Sequence, residues 1–169
     1  MNTQKRYLQT ACYVALFFLF YLITYTHLFP LRIGNATPAP LVSLTVCVAF
    51  FFDEWKGFIA GVITGIAMDA VASETLCFNT FIMLIIGLVC GLLVTHYLNR
   101  NIYTIGVLSV GSSLLYFGAR WLILQSHSSA SAAANSLLFY ALPSAVYSAL
   151  FIIPFYFLGL LINKIGNKR

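Results

Sequence analysis

Two charged side chains interrupt apolar stretches of this sequence. Asp69 lies near the end of GFIAGVITGIAMDA (residues 57 to 70), and Arg120 lies within LLYFGARWLIL (residues 114 to 124). If these stretches cross a membrane, an isolated charge there costs several kcal/mol, and a partner or a wet cavity offsets the cost. We predict that Asp69 and Arg120 form a polar pair, directly or through water. The alternative is that each side chain reaches the lipid headgroups separately.

The other reactive side chains form no catalytic or metal-binding pattern in the sequence. Asp53 and Glu54 fall in a short turn, and His27 and His96 are expected at opposite ends of the protein. A nucleophile with a base in reach cannot be assembled from them. We therefore predict a protein that is not an enzyme and that binds no cofactor or metal. The cysteines lack C-x-x-C spacing and are expected to be small buried side chains: Cys12, Cys47, Cys77 and Cys90.

Glycines recur every four positions in two of the apolar stretches. Residues four apart lie on one face of a helix, and small residues there allow the backbone of another helix to come close. We predict that these glycines form a helix-packing or partner interface, and that the helix ending at Asp69 is central and tightly packed. They are Gly57, Gly61 and Gly65 in the first stretch and Gly87 and Gly91 in the second.

The composition indicates an integral membrane protein of one domain. Of the 169 residues, 61% are hydrophobic and only 8% are charged, against roughly 25% charged residues in a soluble domain. A soluble domain of this size leaves much of its surface in water, so side chains this apolar require lipid around them. The net charge of +5 does not indicate nucleic acid, because the basic residues lie in short loops and near the termini, where they orient a membrane protein.

Six apolar stretches predict an all-α bundle of about six transmembrane helices, since a crossing needs about 20 apolar residues. The second stretch is short enough to be re-entrant. The last contains Pro143 and Pro154, where we expect kinks. The predicted spans are residues 7–28, 38–53, 57–72, 78–97, 103–124 and 136–162.

The distribution of basic residues favours six crossings with both termini in the cytoplasm. If the second stretch did not cross, Lys56, Arg100 and the C-terminal tail would move to the outer side, against the positive-inside rule. With six crossings the outer side holds Arg32. The cytoplasmic side then holds Lys5, Arg6, Lys56, Arg100, Lys164, Lys168 and Arg169.

Residues 38 to 93 resemble MreD, a family of bacterial rod-shape-determining membrane proteins, and the resemblance elsewhere is only general. The shared features are a proline before the second span, a charged turn, a glycine-rich third span ending in G-x-x-x-D, and a short outer loop. In this chain they are Pro38, residues 53 to 56, Gly61, Gly65, Asp69 and residues 73 to 78.

This chain departs from the family pattern in the loop after the aspartate. Family members often carry a proline and then a glycine there, whereas Thr75 and Cys77 stand at about those places.

The resemblance implies a non-enzymatic scaffold in the bacterial plasma membrane. Such a protein belongs to the elongasome, the machinery that inserts new cell wall along a rod-shaped cell. The partners that the resemblance implies are MreC, the actin-like MreB, a RodA-type glycosyltransferase and a class B penicillin-binding protein, besides membrane lipid.

A substrate-binding subunit of an energy-coupling-factor vitamin transporter is the alternative. Those subunits are also six-span proteins of this size, and they dock a partner through an Ala-x-x-x-Ala pattern in the first span, here Ala11 and Ala15. MreD-like proteins resemble them in general fold. A cavity open to the outside, with Asp69, Arg120 and Asn79 at its mouth, is therefore expected as well.

Overall fold

The computed structural model describes residues 3–25, 39–52, 54–71, 77–124 and 141–167, and every regular element within these ranges is a helix. Predictions that concern Asp53, His27, Arg32 or Thr75 fall outside these ranges. The helices are α1 (Thr3–Tyr25), α2 (Pro40–Phe51), α3 (Glu54–Asp69), α4 (Phe78–His96), α5 (Ile102–Leu124), α6 (Leu142–Leu150) and α7 (Ile152–Asn167).

Within the described ranges, three helical stretches are long and apolar enough to cross a membrane, where the sequence predicted six. They are Phe78–His96, Ile102–Ile123 and Leu142–Ile162, the last of which combines α6 with most of α7. The predicted second span, the one short enough to be re-entrant, corresponds to α2, which has 12 residues. At 1.5 Å per residue it measures about 18 Å, well short of the roughly 30 Å hydrocarbon core. The ends of the helices also differ by a few residues from the predicted spans.

Contacts between successive helices show that they run in alternating directions. Gly57 of α3 lies against Gly87 of α4, whereas Gly65 lies against Thr80. The bundle therefore has two ends, which we name the basic end and the Asp69 end after the charged residues there. At the basic end, the guanidinium of Arg100 donates to the carbonyls of Phe51 and Phe52, over 3.4 and 3.5 Å. The opposite, Asp69 end holds the C-terminus of α3 and the N-terminus of α4.

The centre of the bundle is α2, and not α3 as the glycine spacing predicted. Eleven of the 12 residues of α2 are buried, and its sequence is apolar on all sides, as is typical of a helix surrounded by others. In contrast, α3 turns Trp55, Ile59 and Ile63 outward. Its glycines therefore form one tightly packed face and not a central position.

Hydroxyl groups connect α2 to the helices around it. Ser43 donates to the carbonyl of Ser148 in α6 over 2.6 Å, and Thr45 shares a hydrogen bond of 2.9 Å with Thr64 in α3. The hydroxyl of Ser148 also accepts a bond of 2.8 Å from the amide of Ala39, which has no partner within the helix that follows. These hydrogen bonds are directional, so they help to fix the orientation of α2 against its neighbours more than apolar contacts alone would.

The last stretch is interrupted at Phe151, between α6 and α7. Pro154 has no amide hydrogen, so the carbonyl four residues earlier, at Leu150, loses its helical partner. The interruption lies where the sequence predicted a kink. It lets Phe155 pack edge-to-face on Phe20 of α1, with ring centroids 4.6 Å apart.

Candidate functional site

The predicted glycines bring the backbones of α3 and α4 into direct contact. A Cβ on Gly61 would overlap the carbonyl of Met83, and one on Gly65 would overlap the Cα of Thr80. A Cβ on Gly57 would lie 2.8 Å from the carbonyl oxygen of Gly87. No other residue type fits at these positions without separating the helices, so the glycines pack two helices of the same chain.

Gly91 extends this glycine interface to the basic end. Its Cβ would lie 2.7 Å from the Cα of Glu54 in the first turn of α3. The carboxylate of Glu54 lies 3.4 Å from Nε2 of His96. The interface therefore runs over the full length of α3.

Replacing Gly61 by alanine should destabilise the fold by about 1–3 kcal/mol, because the added methyl meets backbone that cannot rotate away. Gly111→Ala is the matched control, since nothing lies within 4 Å of a Cβ at that position. It should leave stability unchanged or raise it by up to about 1 kcal/mol. Thermal unfolding of the purified protein in detergent measures both. Equal losses in the two variants would contradict the close approach.

Asp69 caps the N-terminus of the neighbouring helix α4. Its carboxylate accepts hydrogen bonds from the backbone amides of Asn79 and Thr80, over 3.1 and 2.8 Å. The side chains of the same two residues also donate to it, over 3.0 and 2.5 Å. These amides are the second and third of α4, which an N-cap side chain normally serves. The residue at the cap position, Cys77, makes no side-chain capping bond.

Hydrogen bonds extend from this carboxylate through Asn79 to Tyr116. The Tyr116 hydroxyl donates a bond of 2.9 Å to the Asn79 side-chain carbonyl, and both residues are buried. Arg120 lies one helical turn beyond Tyr116, on the same face of α5. The Asp69 carboxylate is thus connected through Asn79 to Tyr116, and no direct ion pair joins Asp69 to Arg120 among the described residues. Their pairing through water stays a prediction.

The geometry of α4 explains why the carboxylate bonds to a helix end and not to the guanidinium. The glycine interface places the first turn of α4 directly beside Asp69, so its amides are the nearest donors. Sequence reasoning missed Thr80 and Tyr116. The four-residue spacing of Tyr116 and Arg120 puts them on one helix face. This spacing was the feature of the sequence that could have indicated that Tyr116 belongs to the site.

Exchanging the charges at positions 69 and 120 should not restore the stability that is lost when Asp69 is replaced. Asp69→Ala removes the acceptor for two amides and should cost about 1–2 kcal/mol, as the loss of a helix cap does. The double variant Asp69→Arg with Arg120→Asp restores opposite charges but leaves α4 uncapped. Asp69→Asn, which keeps one carbonyl oxygen, should fall between wild type and Asp69→Ala. Thermal unfolding in detergent tests the series, and recovery in the double variant would show that charge pairing dominates.

Cys77 has a backbone conformation that normally belongs to glycine. Its φ is 58°, in the left-handed region that costs a side chain about 1–2 kcal/mol. The backbone thus has the conformation that glycine favours, although the residue is cysteine.

Cys77→Gly should therefore stabilise the protein by about 1 kcal/mol, because glycine adopts this conformation without steric cost. Cys77→Ala is the control, since it removes the exposed thiol but keeps a Cβ. Denaturant titration in detergent compares the two variants. An equal gain in both would attribute the effect to the thiol and not to the backbone.

The described cysteine and carboxylate side chains gather into no group that holds a metal ion. Cys47 donates to the carbonyl of Phe155 over 3.3 Å, and Cys90 lies 3.2 Å from the hydroxyl of Ser112. Both thiols are buried between helices. Cys12 is half-buried and Cys77 is exposed, so burial holds for two of the four.

The cavity expected with Asp69, Arg120 and Asn79 at its mouth stays a prediction. Asn79 is buried, and its amide and carbonyl groups both make hydrogen bonds. A groove lies between α1, α2 and α3, towards the basic end. Ala11 and Ala15 of α1 are exposed.

Comparison with known proteins finds no similarity: no protein-family model, curated protein or solved structure matches this chain.

Proposed function

We propose that this protein is a non-enzymatic, MreD-like scaffold of the bacterial elongasome. The observation that carries the proposal is the joint between α3 and α4. The residues that resemble the family, Gly61, Gly65 and Asp69, act together there: two admit the neighbouring backbone and the third caps the helix. A motif whose members cooperate in one structural task supports a shared architecture more strongly than spacing alone.

The position of Cys77 adds support of a different kind. The family often has glycine at this point, and the chain here has the left-handed conformation that favours glycine. A backbone that favours glycine at this point supports the proposed resemblance, although the residue here is cysteine.

The proposed arrangement is six crossings in the bacterial plasma membrane, with both termini in the cytoplasm. Lys56 and Arg100 both lie beside the end of α2 at the basic end, and the last turn of α7 carries Lys164. Basic residues collected at one end orient a membrane protein with that end inside. Neighbouring helices and lipid would accommodate the short α2 by local thinning of the bilayer.

A scaffold of this kind acts through contacts and needs no reacting group. The described polar side chains mostly serve bonds inside the bundle, while Trp55, Ile59, Ile63 and Ile66 face outward along α3. We propose MreC as the main partner, with MreB, a RodA-type glycosyltransferase and a class B penicillin-binding protein in the same assembly.

Depletion of the protein in a rod-shaped host tests this function. Cells should become wider and rounder over a few generations, because wall insertion along the cylinder loses its organisation. Re-expression of the wild-type chain should restore the width, and addition of vitamins should not. Cell width measured by microscopy, beside protein level measured by immunoblot, gives the result.

Unchanged cell width together with growth that depends on a supplied vitamin would contradict the scaffold proposal. It would favour the transporter subunit, whose docking alanines, Ala11 and Ala15, are exposed here. Complementation with Gly61→Ala, with Gly111→Ala as the matched control, separates a lost contact from a folding defect. If cells with Gly61→Ala lose their shape while its protein level stays normal, the loss is due to the contact.

A further inference from the structure

A lateral groove opens between α1, α2 and α3 in the half of the bundle nearest the basic end. It has a volume of about 520 Å³, within the roughly 300–1,000 Å³ of pockets that hold small ligands. Phe17 and Val14 of α1 form one wall, Ile59 and Ile63 of α3 form the other, and Leu44 of α2 belongs to its lining.

Two hydroxyl groups in the lining, those of Thr45 and Thr64, are bonded within the chain. They lie 2.9 Å apart, so one donates to the other, while the accepting hydroxyl donates to a carbonyl of its own helix, Leu41 for Thr45 or Ala60 for Thr64. The buried Tyr13 hydroxyl has no partner among the described residues, but the surface offered to an occupant is almost entirely methyl, methylene and aromatic. An apolar chain suits this lining, whereas a sugar or a vitamin with several polar groups would lose hydrogen bonds there.

A single positive charge marks the end of the groove. Lys56 belongs to the lining, and its Nζ lies 4.1 Å from the centroid of the Phe52 ring. The nearby carboxylate of Glu54 lies 3.4 Å from Nε2 of His96 on α4. None of the described lining residues is acidic. The N-terminal half of α1 lies at the same end, since the Tyr13 ring packs on that of Phe52.

We propose that the groove binds one acyl chain of an anionic phospholipid, with the lipid phosphate at Lys56. In a membrane the open side of the groove faces hydrocarbon, so an acyl chain reaches it without crossing water. Basic pockets between helices on the cytoplasmic side recognise anionic headgroups, and the proposed orientation places Lys56 there. The inference rests on the membrane embedding of the proposed function and not on the elongasome role.

Native mass spectrometry of the full chain tests the lipid site. The protein, purified in mild detergent, is offered phosphatidylglycerol or phosphatidylcholine with identical acyl chains. Wild type should retain one phosphatidylglycerol about fivefold more than phosphatidylcholine, the contribution of one lysine near a phosphate. Lys56→Gln should reduce this ratio to about one. Lys164→Gln, an exposed lysine at the same end of the bundle, should leave the ratio unchanged.

A second pair of variants tests the apolar wall. Ala60→Phe, at a lining position, should lower retention of both lipids severalfold. Val107→Phe, on the exposed face of α5, should not. A phosphatidylglycerol with a photoactivatable acyl chain should cross-link to α1 and α3 in the wild type, which locates the site even if Ala60→Phe fails to fold.

Three outcomes would overturn the proposal. They are equal retention of the two lipids by wild type, a preference that survives Lys56→Gln, and cross-links confined to other helices. A dimer that dissociates in Ala60→Phe would assign the groove to a second copy instead, and this also overturns it. Extraction with alkaline carbonate reports membrane embedding separately, and cell width reports the elongasome role, so each failure is distinguishable.

Discussion

The close approach of the α3 and α4 backbones is the constraint on which the rest of the structure depends. In a bilayer no water bonds to the open amides at a helix end, so the protein must supply an acceptor. Glycines at Gly61 and Gly65 bring α4 near enough for Asp69 to supply it. Asp69 ends its own helix, where the negative end of the dipole disfavours a carboxylate. The N-terminus of α4 compensates with a field of opposite sign. The contact therefore caps α4 and also offsets the unfavourable field at the end of α3.

The same need for internal partners explains the composition of α2. Lipid does not drive apolar helices together as water does, so small residues and hydroxyl groups specify the packing. Ser43 and Thr45 connect α2 to α6 and α3 through hydrogen bonds to Ser148 and Thr64. A helix of Leu, Val and Phe alone could pack against its neighbours in several rotations about its axis. The hydrogen bonds of Ser43 and Thr45 favour one of these rotations.

The sequence predicted helical class, the approximate ends of the helices and the importance of the glycines and Asp69. It predicted these because four-residue spacing and apolar length are local properties. It did not predict that α2 is central, since uniform apolarity is compatible with a lipid-facing helix as well as a surrounded one. It also did not predict that Asp69 bonds to Thr80, because that bond depends on which helix lies alongside, and this is a non-local property.

The bonds of α2 have a consequence for the way the chain is made. The α3–α4 hairpin joins neighbours in sequence, so it can form while the rest of the chain is still being synthesised. In contrast, Ser43 waits for Ser148, which is 105 residues further along, and Cys47 waits for Phe155. Until α6 and α7 have been synthesised, the central helix lacks both of these partners.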